Sequence, residues 1–334
     1  MKIIIHKGAQ EIGGTCISLT EAGTTIWLDF GQPLKEGSRI VEADKLQPQP
    51  NAVFLSHAHL DHYGRIKELG TSIPVYMGKL SHMLINALCD FNPHQKRLLN
   101  PIKNFEGFES VNLDPFAITP WPVDHSASDA YSFVVKAGGK TIFYSGDLRA
   151  HGWKGKTFKN LEAKLPRNLD LMFLEGTMFG RSEEKVKSES ELELEMAEVF
   201  RRQTNISFVV CSGQNIDRTV TVIKACNRAR KIPVIGIYNA WLLEQFYQND
   251  HQTRVPNLHK FEDLEVFFEP KQKMKLESAK EFFGNFYDLV YEHHAFKKKQ
   301  YNAYVMIIGA TGFYANVVKK CARREKVKVH TCPK

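Results

Sequence analysis

The sequence predicts an α/β protein in two parts, on three observations. Up to about Gly180, short apolar segments of strand length alternate with turns and a few helical segments. Beyond Gly180, amphipathic helical segments alternate with apolar strand segments, which is typical of a parallel α/β sheet. Four side chains that can bind metal ions lie between residues 57 and 62, immediately after an early apolar strand. The sequence therefore predicts two structural parts and a metal site in the first of them.

Strand ends in the first part carry polar or glycine residues. Residues 74–78 predict a strand, and residues 79–90 predict the helix that follows it. Asp29 ends another strand-like run and either opens a turn or serves a nearby site. The glycines between residues 8 and 14 predict a tight turn and not a phosphate loop, because no helical pattern follows them.

The second part opens with a helix that carries its own start and stop signals. Ser188 and Glu191 have the spacing of a capping box, and apolar residues then recur at helical spacing. Acidic residues crowd the start of this segment, whereas Arg201 and Arg202 end it, which matches the helix dipole.

A strand–helix–strand unit follows this helix. Residues 206–210 predict a strand, residues 217–230 a helix and residues 233–237 a second strand, as expected of a parallel sheet. The loop before the helix has two interpretations. Asn215 or Asp217 caps the helix, or the loop's backbone N–H groups receive a phosphate.

Composition is that of a globular intracellular protein. The chain has 334 residues, of which 43% are hydrophobic. Its six cysteines are scattered without CxxC pairs, so neither a zinc finger nor a disulfide framework is expected. No apolar run approaches the roughly 20 residues that cross a membrane, and the apolar start is too short for a signal peptide. We therefore expect a cytoplasmic protein with no membrane partner.

The net charge of +8 favours polyanionic partners such as nucleic acid. Lysine and arginine gather late in the chain, in the runs 271–275, 297–299, 319–320 and 323–326. The alternative for any single run is a solubilising surface.

Residues 57–62, His-Ala-His-Leu-Asp-His, carry the chemistry of a metal site. Three imidazoles and a carboxylate in six residues compete for the same partners unless a cation holds them. A solvated polar loop is the alternative. In extended backbone, His57 and His59 project to one side and can grip one ion, while Asp61 and His62 reach toward another. Zinc suits these ligands best, with manganese second.

This HxHxDH motif resembles that of the metallo-β-lactamase fold, an αββα sandwich. The resemblance implies further ligands on later strand ends, and His125 and Asp147 follow apolar runs in the family's order. By resemblance, His125 completes the ligand set of the first metal, and Asp147 bridges two ions. Asp29 then corresponds to an acid that orients the metal loop from behind its ligands.

A second resemblance begins at the junction of the two parts. Residues 173–181 are similar to the acidic motif where the β-CASP subgroup starts its inserted domain, and Glu175 is the acid. The resemblance implies that Glu175 supports one of the metal-binding histidines. It also implies a metallo-β-lactamase domain over residues 1–180 and a parallel α/β, β-CASP-like insertion over 181–322. Members of that subgroup are nucleases.

The end of the chain departs from the β-CASP pattern. Residues 323–334 are similar to the start of a return segment to the first domain, but the family's Ser-Gly-His continuation and a later histidine are absent from the sequence. Either the chain is truncated relative to the family, or it is a divergent short member whose second metal site is completed differently, for example by His330.

These resemblances imply a metal-dependent hydrolase, most simply a phosphodiesterase or ribonuclease. Two zinc ions, or manganese, would lower the pKa of a shared water, with Asp61, Asp147 and Glu175 as the catalytic acids. The expected partner is nucleic acid, RNA before DNA. Two alternatives remain: a hydrolase of a small ester, thioester or phosphodiester with the same centre, and a non-catalytic nucleic-acid-binding protein.

Overall fold

The computed structural model describes residues 1–92, 94–180, 186–296, 301–309, 312–324 and 329–331. Contacts divide the chain into two compact units. The first contains residues 1–86 and 96–186, and the second contains residues 87–95 and 187–334. The domain limits expected from the sequence stay predictions, and residues 325–328 and 332–334 of the expected return segment lie outside the described residues.

The first sheet of the first unit has six strands: β1 (Lys2–Lys7), β2 (Cys16–Glu21), β3 (Thr24–Leu28), β4 (Ala52–Phe54), β5 (Val75–Gly78) and β6 (Ile102–Phe105). They lie side by side in chain order. Strands β1 to β3 are antiparallel, and β3 to β6 are parallel. The turn expected between residues 8 and 14 joins β1 to β2.

The second sheet has five strands: β7 (Val111–Leu113), β8 (Phe116–Val123), β9 (Ala130–Ala137), β10 (Lys140–Tyr144) and β11 (Leu171–Phe173). Its strands are antiparallel neighbours except for β10 and β11, which are parallel. Among the residues that the structure describes, three α-helices accompany the two sheets: α1 (Leu60–Tyr63), α2 (Lys79–Phe91) and α3 (Lys156–Lys164). The strand and helix predicted over residues 74–90 are confirmed as β5 and α2.

The two sheets pack face to face. One buried apolar cluster joins Phe54 of the first sheet to Phe133 of the second. On the outer face of the first sheet, Ile85 of α2 packs into a second cluster, and Leu161 of α3 packs on the outer face of the second sheet. Each apolar side chain removed from water in this way stabilises the fold by about 1.5–3 kcal/mol. The layers are therefore helix, sheet, sheet and helix, and the predicted αββα sandwich is confirmed.

The second unit is built on a five-stranded parallel sheet. Its strands are β12 (Ser207–Val210), β13 (Ile232–Gly236), β14 (Glu265–Phe267), β15 (Tyr304–Ile308) and β16 (Val329–Thr331). The helices are α4 (Glu189–Arg202), α5 (Ile216–Ala229), α6 (Ile237–Asn249), α7 (Pro270–Ser278), α8 (Lys280–Phe283), α9 (Asn285–Glu292) and α10 (Gly312–Arg324). The strand order is β14-β13-β15-β12-β16.

Local predictions for the second unit are confirmed. Ser188 Oγ accepts a hydrogen bond from Glu191 N at 3.2 Å, and the Glu191 carboxylate accepts one from Ser188 N at 2.7 Å, which is the predicted capping box at α4. Asn215 caps α5 by accepting from Arg218 N at 3.0 Å. The strand–helix–strand unit is β12, α5 and β13, although β15 lies between its two strands. In the described part of the chain, we find no helix long and apolar enough to cross a bilayer.

Candidate metal centre

Polar side chains gather where four strands of the first unit end. Asp29 follows β3, His57 lies just beyond β4, His125 follows β8 and Asp147 follows β10. Strands β3 and β4 are neighbours in the first sheet, and β8 and β10 both flank β9 in the second. Since the two sheets pack together, their carboxyl ends bring these side chains to one edge of the sandwich.

Two glycines allow the loops at this edge to approach closely. A Cβ on Gly31 would lie 1.5 Å from the Asp61 carbonyl oxygen, so no other residue fits between β3 and α1. Gly146 has a φ of +54°, and a Cβ there would lie 2.9 Å from Ser56 Cβ. Glycine at both positions lets the chain turn directly beside the candidate metal-binding residues.

Three imidazoles form the first ligand group, His57, His59 and His125. The His57 Nε2 and His59 Nδ1 atoms lie 3.2 Å apart, and His125 Nε2 lies 3.1 Å from the same His59 nitrogen. One nitrogen from each ring lies within 4.8 Å of the others. Three convergent imidazole nitrogens can hold a divalent transition metal ion.

The second group consists of His57, His62 and Asp147, again with ligand atoms within 4.8 Å of one another. His62 Nε2 lies 3.2 Å from Asp147 Oδ1, and His57 Nε2 lies 3.9 Å from Asp147 Oδ2. The same Oδ2 atom is 3.7 Å from His125 Nε2. Asp147 therefore faces both groups, and His57 belongs to both.

The remaining two acids expected at the site lie outside these groups. Asp61 Oδ2 is 3.8 Å from His62 Nε2, at the margin of the second group, and burial raises the pKa of Asp61. Glu175 is half-buried, and its carboxylate accepts a hydrogen bond from Thr177 Oγ1 at 2.5 Å. Support of a histidine by Glu175 stays a prediction.

Asp29 lies beneath the centre, fully buried, with a φ of +58° that turns its side chain toward the loop 56–62. Its Oδ1 atom accepts from Ser56 N at 2.7 Å, and its Oδ2 atom accepts from Ser56 Oγ at 2.7 Å and from His62 Nδ1 at 2.8 Å. Ser56 Oγ is also 3.0 Å from His57 Nδ1. With Nδ1 of both rings turned toward Asp29 and Ser56, Nε2 of each is left for a metal.

Burial, reinforced by neighbouring histidines, lowers the pKa of three of the four imidazoles. The pKa of His59 falls to about 4, and the pKa values of His57 and His125 fall well below the ordinary value of 6.5. These rings are therefore neutral at pH 7, which is the form that binds a metal.

Neighbouring charges favour the ionised forms of His62 and Asp147. Burial alone would lower the pKa of His62, but the carboxylates of Asp29 and Asp147 outweigh it and raise the pKa well above its ordinary value. Burial likewise opposes ionisation of Asp147, but the hydrogen bond and charge of His62 bring its pKa to about 2. In the metal-free protein these two side chains form an ion pair, so a cation entering the second group displaces a proton.

We expect the metal-free protein to lose stability as the pH falls from 6.5 to 4.5. In this range His57, His59 and His125 take up protons when unfolded but not when folded, so unfolding is favoured by acid. His62 adds no slope here, because below its ordinary pKa it is protonated in both states. Urea unfolding at several pH values, with a chelator present, measures this effect. The free energy of unfolding should fall less steeply with falling pH in His59→Ala than in wild type. Equal slopes in both proteins would contradict a lowered pKa for His59.

Sequence reasoning missed two residues of this site, Ser56 and Tyr144. The Tyr144 hydroxyl donates to Asp29 Oδ2, and burial together with Asp29 holds the pKa of the phenol well above its usual range, so it stays a donor. The available signal was a phenol within an apolar strand, since a buried hydroxyl needs a partner. For Ser56 the signal was its place next to His57.

The donor set fits a divalent transition metal. Imidazole nitrogens and a carboxylate oxygen converge, three of the rings are in the neutral form, and the Nδ1 atoms of His57 and His62 have hydrogen-bond partners. Such a combination is typical of zinc and manganese sites.

The sandwich and the centre at its edge define a protein of the metallo-β-lactamase fold. The family model described as beta-lactamase superfamily domain matches residues 27–235, and the chain belongs to this superfamily. The fold is also that of a solved structure, a protein of unknown function from Enterococcus faecalis V583. The two share 18% identity with a TM-score of 0.70, over 99% of this chain and 87% of that one.

Among curated proteins, this chain is similar to enzymes named ribonucleases. It is 30% identical to Ribonuclease TTHA0252 of Thermus thermophilus over 53% of this chain and 44% of that protein. It is 28% identical to Ribonuclease J of Mycoplasma genitalium over 70% of this chain and 44% of that protein. The chain thus spans about half the length of the curated relatives it matches.

Proposed function

We propose that this protein is a metal-dependent phosphodiesterase that hydrolyses RNA, with DNA as its second substrate. The observation that carries the proposal is the pair of ligand groups that share His57 and meet at Asp147, whose oxygens lie 3.2 Å from His62 Nε2 and 3.7 Å from His125 Nε2. The ribonuclease names of the relatives support RNA as the substrate.

Each side chain has a separate task in this proposal. His57, His59 and His125 would hold one ion, His62 and Asp147 would hold a second, and the Asp147 carboxylate faces both groups. Bound divalent ions would supply Lewis-acid stabilisation of charge on the phosphate and lower the pKa of a water.

The acids complete the proposed chemistry. Asp61 lies 3.8 Å from His62 Nε2, and its raised pKa suits a carboxylate that orients the attacking water and takes up its proton. Glu175 would support one of the histidines. The substrate phosphate would then be bound by cationic side chains next to the metal ligands.

Two cationic side chains lie near the first ligand group. Besides burial, the charge of Arg149 lowers the pKa of His59 and of His125. The charge of Lys154 acts in the same sense on the pKa of His57, which burial lowers most. Arg149 Nε is 3.5 Å from Asp124 Oδ1, next to His125, and Arg149 N donates to Asp124 O at 2.7 Å. Lys154 Nζ donates to Ala127 O at 3.4 Å. Positive charge next to the ligands favours an anionic substrate such as a phosphodiester over a neutral ester.

We further propose that the chain is a β-CASP protein whose second unit guides the nucleic acid. Lysines 271, 273 and 275 lie on α7, and Lys319 lies on α10. The runs 297–299 and 325–326 lie outside the described residues. Phosphate contacts from such side chains supply affinity without sequence preference.

We propose zinc as the metal of this centre and manganese as the second choice. The proposed location is the cytoplasm.

The proposal is tested by cleavage of labelled single-stranded RNA and DNA of one sequence. Protein loaded with zinc or manganese should cleave the RNA, and the DNA more slowly. His59→Ala should lower the rate at least about 100-fold, since it removes one of three ligands of the first group. His82→Ala is the matched control, because His82 is a half-buried histidine bonded to Asn86 on α2.

Three outcomes would reject the RNA proposal. Intact RNA and DNA after incubation with loaded protein would do so, as would equal cleavage by His59→Ala. Hydrolysis of a small ester or phosphodiester, combined with nucleic-acid binding that does not weaken with salt, would favour the small-substrate alternative, because phosphate contacts impose a steep salt dependence.

A further inference from the structure

One hydrogen bond behind the metal centre connects the two sheets of the sandwich. Asp29 follows β3 of the first sheet, whereas Tyr144 is the last residue of β10 in the second. The Tyr144 hydroxyl donates to Asp29 Oδ2, the same oxygen that accepts from His62 Nδ1 and Ser56 Oγ. Tyr144 is only 4% exposed, so water does not compete for this contact.

The position of Tyr144 in the chain gives this bond a consequence for the ligands. Asp147 lies three residues after Tyr144, in the loop that leaves β10. His62 lies on the opposite side of the contact, on α1, and Asp29 holds its Nδ1 atom. The bond therefore connects the strand end before Asp147 to the carboxylate that orients His62. The His62 Nε2 and Asp147 Oδ1 atoms lie 3.2 Å apart.

We propose that Tyr144 is a positioning residue for the metal centre. Its hydroxyl holds Asp29 Oδ2 against His62 and fixes the β10 strand end relative to α1, so that His62 Nε2 faces Asp147. The ligand group of His62 and Asp147 depends on it more than the group of His57, His59 and His125 does. This inference rests on the metal centre of the proposed function, but not on the substrate.

The sheets remain connected at this edge without the Tyr144 hydroxyl. Tyr131 N of β9 donates to Ser56 O at 2.9 Å, and Asp29 keeps its bonds to Ser56. The Tyr144 ring also packs in the apolar cluster between the sheets. A Tyr144→Phe variant retains all of these contacts and loses one hydroxyl, so it is expected to fold.

Metal titration of the apoprotein tests the proposal without using activity. Zinc or manganese binding is followed by calorimetry and by competition with a chromogenic chelator, for wild type and Tyr144→Phe. The class of site that His62→Ala weakens should lose about 10–100-fold in affinity in Tyr144→Phe, as when a hydrogen-bond partner of a metal ligand is removed, while the other class changes less than about 3-fold. Tyr76→Phe is the matched control, since Tyr76 lies in the same cluster and its hydroxyl contacts Lys103 Nζ at 3.3 Å.

A double-mutant cycle with His62→Ala separates positioning from a general loss of packing. If Tyr144 acts through His62, adding Tyr144→Phe to His62→Ala should not weaken metal binding further. Equal metal affinities in wild type and Tyr144→Phe would overturn the proposal. So would equal losses in Tyr144→Phe and Tyr76→Phe, or a full additional loss in the double variant. None of these readouts depends on RNA cleavage, so the inference can fail while the proposed function stands, and the reverse.

Discussion

A His57→Ala variant is expected to lose the ion of the first ligand group. His57 is the one side chain shared by the two groups found among the described residues, and its ring is fully buried. Its Nε2 atom has one lone pair and can bind one ion, and in the proposed arrangement that ion is the one held with His59 and His125. Without His57 the first group keeps two histidines, and two ligands hold a divalent metal weakly, so affinity at this position should fall by more than about 100-fold.

His59→Ala is the matched comparison, because His59 belongs to the same first group. Elemental analysis after gel filtration should give fewer ions for both variants than for wild type, with a similar loss in each. The cavity left by His57 also costs stability, so melting of each apoprotein is recorded alongside. Retention of wild-type metal content by His57→Ala would exclude His57 as a ligand.

The metal motif was predictable because its information is local. Residues 57–62 lie in one loop and one short helix, so spacing alone brings the ligands together. His125 and Asp147 were expected only through their order after that motif, and packing of the second sheet places them beside it. Their own sequence surroundings, a polar residue after an apolar strand, occur in many proteins that bind no metal.

Side-chain roles that depend on contacts between sheets were not predictable. Tyr144 had the appearance of a core residue in an apolar strand, and its partner Asp29 lies more than a hundred residues earlier in the sequence. The strand order of the second unit also was not predictable from local sequence. Periodicity predicted β12, α5 and β13, but the insertion of β15 between the two strands results from a later part of the chain folding back.

An Asp29→Asn variant is expected to be destabilised by about 3 kcal/mol or more. The carboxylate of Asp29 is fully buried and accepts from four donors: Ser56 N, Ser56 Oγ, His62 Nδ1 and Tyr144 Oη. An asparagine amide has one oxygen, and its NH₂ group would face a donor instead of an acceptor. It would also leave the charge of His62 with one carboxylate partner fewer, and unpaired buried charges are costly.

Asp170→Asn is the matched control for this measurement. The Asp170 carboxylate also accepts two hydrogen bonds, from Thr141 N at 2.8 Å and Lys140 Nζ at 2.8 Å, but both partners lie at the surface. Its replacement should cost less than about 1 kcal/mol, because water takes over the lost contacts. Urea unfolding of the two apoproteins gives the comparison. If Asp29→Asn costs no more than Asp170→Asn, the four-donor network is not what holds the metal loop. If Asp29→Asn is destabilised and also binds metal more weakly, the network that stabilises the fold is also the one that orients the ligands.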